Sequence, residues 1–234
     1  MKNQYFADIN DYRKYGILRS ITGNGEMMSA ICWMLTDDDK TTDGKFVDYI
    51  SNPKRFRDYD PTLFDSLALC LENKANRSVY WAEENNIIPK SVYFPELLLD
   101  KKGKRWEYFS KFKSVAAKSD ILFFDPDNGI EVKSVPIGRK NCNKYIYWLE
   151  IIDAYASGKS LLIYQHFIRE KRGAFIQKLV NRFSENLPIT EMYSLRTANV
   201  VFFLIPQHYH NDYLAEKCSE ISRKWYSQIQ VSKH

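Results

Sequence analysis

Four short, nearly wholly apolar runs constrain the fold of this chain more than any other feature. They are residues 29–36 (SAICWMLT), 120–125 (DILFFD), 160–164 (SLLIY) and 199–205 (NVVFFLI). Runs this short and this apolar read as strands buried on both faces, the condition met in parallel sheets. Helical patterns separate them. Residues 8–21 carry Tyr12, Tyr15, Leu18 and Ile21 on one side, and Leu63, Phe64, Leu67 and Leu71 follow Asp60 as N-cap and Pro61 at the first helical position. Trp106, Phe109, Phe112 and Val115, spaced by three, predict an amphipathic helix with basic outer positions. Further helices are expected around residues 145–157, closed by Gly158, and over 173–186 and 211–229. Residues 91–99 fit strand or loop, and residues 37–45 a polar loop ending in an Asp43-Gly44 turn. The alternation predicts an α/β fold, a mostly parallel sheet with crossover helices, as one domain over residues 1–234.

Composition excludes several classes. Hydrophobic residues make up 44% and aromatic residues 15%, too many for a disordered chain. No run approaches the roughly 20 apolar residues of a membrane span, and mean hydropathy is −0.46. The first residues lack an apolar signal region, so a cytoplasmic protein without membrane contact is expected. Cys32, Cys70, Cys142 and Cys218 form no C-x-x-C pair, which argues against a disulfide framework or a zinc site. The net charge of +5 suits an anionic partner without marking a strong nucleic-acid footprint.

In an open α/β sheet, ligands bind beyond the carboxyl ends of the strands, so the polar residues that follow the apolar runs are the candidates. Three such exits stand out: Thr36-Asp37-Asp38, Asp125-Pro126-Asp127-Asn128-Gly129-Ile130-Glu131, and Tyr164-Gln165-His166 with Arg169 beyond. Asp125 and Asp127 flank a rigid proline at a strand end, where carboxylates can accept hydrogen bonds from a ligand. With Glu131 they also form an acidic set of the kind that holds Mg²⁺. That is the basis of an alternative, a metal-dependent nuclease or phosphoesterase. His166 is a candidate general base or phosphate contact. Arg139, Lys140 and Lys144, interleaved with Tyr145, Tyr147 and Trp148, suit phosphate contacts and base stacking. With Arg13, Lys14 and Arg169 they are expected to surround one cleft, with Asn128 and Gln165 as further substrate contacts.

Phe6-Ala7-Asp8, then Tyr12-Arg13-Lys14-Tyr15-Gly16-Ile17-Leu18, and the strand-terminal Asp125-Pro126-Asp127-Asn128 resemble the bacterial large-subunit ribosomal RNA adenine methyltransferases. Those enzymes open with an Ala-Asp-x-x-Lys-type helix and carry D-P-P-Y at the end of the fourth strand. The chain is similar also to a set of bacterial proteins sharing YFxDxxDYxKYG and FFDPDNG. The resemblance implies a Rossmann-type methyltransferase-like fold acting on nucleic acid or a nucleotide. Asp125 would accept a hydrogen bond from an exocyclic amine and Pro126 would offer its carbonyl to the same group. S-adenosylmethionine would lie over the first strand's exit, at Thr36, Asp37 and Asp38. The chain departs from that family twice: Asn128 replaces the stacking aromatic, and no Gly-x-Gly turn follows the first strand. A non-catalytic nucleic-acid binder with a degenerate transferase fold is the remaining alternative.

Overall fold

A computed structural model of the chain describes residues 1–38, 44–72 and 77–234. Residues 39–43 of the expected polar loop, Asp43 of its turn among them, lie outside the described residues. The strands are β1 (Ser29–Cys32), β2 (Ser91–Phe94), β3 (Ile121–Phe124), β4 (Gly129–Ile130), β5 (Tyr145–Ile146), β6 (Ser160–His166), β7 (Tyr193–Arg196), β8 (Val200–Ile205) and β9 (Gln230–Lys233). The helices are α1 (Ile9–Ile21), α2 (Pro53–Phe56), α3 (Pro61–Glu72), α4 (Tyr80–Glu84), α5 (Lys102–Val115), α6 (Trp148–Ala156), α7 (Arg172–Asn186) and α8 (Asn211–Lys224).

Seven strands form one sheet in the order β2-β1-β3-β6-β8-β7-β9, and β4 and β5 make a small separate pair. The pairings β1–β2, β1–β3 and β3–β6 are parallel. Those of β6–β8, β7–β8 and β7–β9 are antiparallel. The fold is therefore α/β, as the alternation of runs and helices predicts, but the sheet is mixed. Strands β7 and β9, four residues each, carry no long apolar run, so periodicity does not reveal them.

Alternation along the strands builds two cores. Ile31, Ile121, Phe123, Leu162, Phe202 and Leu204 face the layer of α1, α3, α4 and α8. Ala30, Cys32, Leu122, Phe124, Leu161, Ile163 and Phe203 face α5, α6 and α7. Period-two side-chain direction makes this division automatic, and a sheet covered on both faces explains why the runs are apolar throughout. All four cysteines are buried free thiols.

Two expectations need correction. The first apolar run leaves the sheet at Cys32 rather than continuing to Thr36, because Met34 turns into the left-handed region at φ 44°. In α5, the three-residue spacing does not mark the buried stripe. Each step of three falls about 60° short of a full turn, so Trp106 and Val115 lie on opposite sides. The buried residues are Arg105, Tyr108 and Phe112, and Trp106 is 78% exposed.

Helix α1 crosses the first core, where Gly16 lies against the indole of Trp225, itself fully buried and stacked on Tyr59. A Cβ at position 16 would sit 2.2 Å from Trp225 Cζ2. Gly16→Ala gains about 1 kcal/mol of helix propensity but forces a packed ring to move, at about 1–3 kcal/mol. Thermal denaturation should show the variant melting below the wild type. A rise in melting temperature would mean that the α1–Trp225 contact is loose.

Candidate functional site

In strand order the chain steps from β1 outward to β2, then back across β1 to β3, so the exits of β1 and β3 diverge. This is the switch point at which open α/β sheets leave a crevice. A cavity of about 350 Å³ lies beside it, at the exits of β3 and β6, lined by α1, the segment after β3 and the end of β6.

Side-chain parity selects what enters it. Phe123 faces α1, and so does Asp125 two residues on, where Lys14 Nζ meets its Oδ2 at 2.7 Å. Tyr164 and His166 follow Leu162 on the same face and line the cavity with Asp125, Pro126, Asp127 and Asn128. Gln165 points the other way. It is buried, accepts from Ile130 N–H at 2.8 Å and donates to the carbonyls of Asn128 and His166. The expected substrate contact is thus a clamp on the Asp125 turn. Gly129 (φ 111°) completes that clamp, since a Cβ there would lie 2.4 Å from Gln165 Cδ.

The opposite wall is the first turn of α1. Asp8 caps the helix by accepting from the amides of Asn10 and Asp11. Asp11 Oδ2 accepts from Ala7 N–H at 3.0 Å, holding Ala7 at φ 65°. Lys14 bridges Asp11 Oδ1 at 2.6 Å and Asp125, with all three side chains about 4% exposed. Two carboxylates share one ammonium. Burial pushes the Asp11 carboxyl up to about 7 against the opposing pull of Lys14, and raises Asp8 as well. Burial disfavours the Lys14 ammonium, but the charges of Asp11 and Asp125 outweigh it and Lys14 stays high. Burial lowers His166.

Asp127 is held on the side of β1. Its Oδ1 pairs with the amine of Met1 at 2.6 Å and its Oδ2 accepts from the Thr36 hydroxyl at 2.9 Å. Burial opposes ionisation, yet the Met1 amine and Thr36 hold its carboxyl below the usual range. The Met1 amine also donates to the Asp125 carbonyl, and Thr36 N–H donates to the Met1 carbonyl.

These contacts decide where the expected site residues stand. Asp125, Pro126, Asp127, Asn128 and His166 come together on the cavity, with Lys14 and the Met1 amine as cations of its lining. Arg13 instead holds the Gln228 side chain at 2.7 Å. Arg139, Lys140 and Arg169 are exposed and Lys144 half-buried, and none of them lines the cavity. The single cleft of six cations is not formed, and Lys14 is an internal counterion rather than a phosphate contact. Asp8 and Tyr164 of the sequence motifs also line the cavity, and Met1, Tyr5, Asn10, Asp11, Gly44 and Phe46, which no motif reading marks as site residues, complete it. The available signal was in α1, where Asp11, Lys14, Tyr15 and Leu18 share one helical stripe. Ionisable residues on a core-facing stripe imply partners.

The exit of β1 does not fit S-adenosylmethionine. Trp33 and Met34 are fully buried, Thr36 is committed to Asp127 and Met1, and Asp38 accepts from Gln4 N–H. Neither Thr36, Asp37 nor Asp38 lines the cavity. The acidic set does not fit Mg²⁺ either. Asp125 and Asp127 are each paired with a cation, while Glu131 accepts from Trp148 N–H at the start of α6. Among the described residues no group of three His, Cys, Asp or Glu side chains is placed to hold a metal ion. No helix among them is long and apolar enough to cross a membrane.

No known protein family matches the chain, and no curated protein resembles it in sequence. Among solved structures, protein LPL1258 of Legionella pneumophila str. Philadelphia 1, assigned to the family DUF519, aligns over 98% of this chain and 96% of its own. The identity is 11% and the TM-score 0.43, a likeness too distant to carry an argument.

Two expected outcomes test the buried cluster. Lys14→Met removes the shared cation and strands two buried carboxylates, which should cost about 3–5 kcal/mol in denaturant unfolding. A loss below about 1 kcal/mol would show that water reaches them. The second test is pH dependence. With the folded Asp11 at about 7 against an ordinary 3.8, the folded state holds a proton that the unfolded state releases. Asp11 should therefore make stability fall as pH rises across that interval and level off above it. Unfolding free energies of the wild type and Asp11→Asn should diverge in slope there, the variant being flatter. Parallel slopes would assign the proton elsewhere.

Proposed function

We propose that the cavity at the exits of β3 and β6 binds the amine-bearing edge of a nucleobase, as part of a nucleotide- or nucleic-acid-directed protein of Rossmann-like, methyltransferase-like build. The observation that carries the reading is Asp125, a strand-end carboxylate lining the cavity and held from behind by Lys14.

An ionised carboxylate only accepts hydrogen bonds. Asp125 therefore suits a donor such as an exocyclic amine, and Pro126, which lacks an N–H, adds only a carbonyl. Asn128 supplies both a donor and an acceptor, enough to read a neighbouring ring nitrogen or carbonyl. His166, half-exposed to the cavity and held toward its neutral form, can accept or give a proton at the rim. Four aspartates line the pocket against Lys14 and the Met1 amine, so it favours an amine over a phosphate, and any phosphate would stay outside, in solvent. Volumes of about 300 Å³ and above are typical of small-molecule sites, so a base with part of its sugar can enter. The exit of β1 does not fit S-adenosylmethionine, so no methyl-transfer step is derived through it.

Nucleosides that differ only in the amine provide the test. Adenosine and cytidine should raise the melting temperature, and inosine and uridine should not; ligand at about 100 times its dissociation constant adds about 2.7 kcal/mol. Asp125→Asn should abolish the discrimination while changing stability by less than about 1.5 kcal/mol, since Lys14 remains paired with Asp11. Equal shifts for both members of each pair, or none, would refute an amine site. A shift with S-adenosylmethionine would revive methyl transfer.

A further inference from the structure

A second cavity lies on the other face of the sheet, away from Asp125. It is a slot of about 500 Å³ between α5 and α6, opening down to Leu122 and Phe124 of β3. The α5 wall presents Trp106, Phe109 and Phe112, and the α6 wall presents Leu149 and Ala154. Toward the far end Ala116, Ala117 and Ser157 leave the slot wide, because small side chains face one another there. Trp106 and Leu149 stand on opposite lips at 78% and 56% exposure. A tryptophan this exposed beside a contiguous apolar strip marks a binding surface rather than ordinary scatter.

The charges around the slot identify what would cover it. Arg105 is internally matched with Glu150, and Lys113 with Asp153. Lys102 at one end and Lys159 at the other line the slot and have no carboxylate partner among the described residues. Lys102 opens α5, whose 14 residues span about 21 Å, and Lys159 donates to the Ala117 carbonyl just past its other end. An apolar slot with an unmatched cation at each end complements an amphipathic helix whose apolar stripe is flanked by carboxylates. A second copy of this chain is a poor fit, since the net charge is +5 and the slot itself is basic.

We infer that the α5–α6 slot is a docking site for an acidic amphipathic helix of a partner protein. Large apolar side chains of the partner enter beside Trp106 and Leu149, and its carboxylates reach Lys102 and Lys159. The site is separate from the proposed base pocket and does not depend on it.

A synthetic helix of about 18 residues serves as the probe, with leucine at i, i+3, i+4 and i+7 and glutamate on both flanks. Calorimetric titration should show binding to the full chain. A blue shift of tryptophan emission should accompany it, and the shift should vanish in Trp106→Phe. Binding should weaken about tenfold or more in Trp106→Ala and in Leu149→Ala. It should weaken with salt, and in Lys102→Glu/Lys159→Glu. The same peptide with lysine flanks should bind about tenfold less tightly. Trp106, Leu149 and Lys102 are exposed and Lys159 is half-buried, and unchanged circular dichroism will confirm that each variant is folded. The inference is overturned if the acidic peptide does not bind, if it binds no better than the lysine version, or if the lip variants bind normally. It is also overturned if phosphatidylcholine–phosphatidylglycerol vesicles produce the Trp106 shift and the peptide does not.

Discussion

A single ammonium group, Lys14 Nζ, sits between two buried carboxylates and ties the first helix of the chain to the end of its most apolar strand. An ion pair out of water is rarely a net source of stability, because desolvation offsets the attraction. Its effect is on placement: once Asp125 is buried at the exit of β3, only a cation delivered from α1 can satisfy it, which fixes the position of α1 over the sheet. The cation–π approach of Lys14 to Trp33, at 5.4 Å from the ring, adds a contact to the exit of β1. The cavity wall, the sealed β1 exit and the aim of Asp125 all follow from that arrangement.

The division of the sheet into two faces separates two kinds of surface. On the α1 face, polar side chains collect at the strand exits and stay enclosed, giving a small acidic cavity. On the α5–α6 face, two helices stand far enough apart to leave an apolar slot, and its rim is basic. The same parity rule that sends Asp125, Tyr164 and His166 to one side sends Gln165 to the other, where it clamps the turn that carries Asp125. Catalytic-looking and structural residues thus alternate along one strand.

The resemblance to adenine methyltransferases concentrates in the residues around the cavity, while the exit of β1 is closed by Trp33, Met34 and the N-terminal segment. A turn of glycines would let a ligand approach the backbone closely. Here a left-handed methionine and a threonine bound to Asp127 occupy that position.

Much of the fold was legible in the sequence because a sheet covered on both faces demands apolar runs, and helices with packed faces demand their own period. Residues 29–32, 121–124, 160–166 and 200–205 became strands where those runs lie, and α1, α3 and α7 closely match their patterns. The importance of Asp125 was legible too, since a carboxylate ending a buried strand must find a partner or a ligand. Other features were decided only by tertiary structure. Strands β7 and β9 are held by pairing rather than by local pattern. The roles of Lys14, Gln165 and Thr36 depend on groups 111, 35 and 91 residues away. Trp106 looked like core by spacing and proved to be surface, because burial depends on which helix packs alongside. A sequence records which residues need partners, whereas the three-dimensional packing determines which partner each one meets.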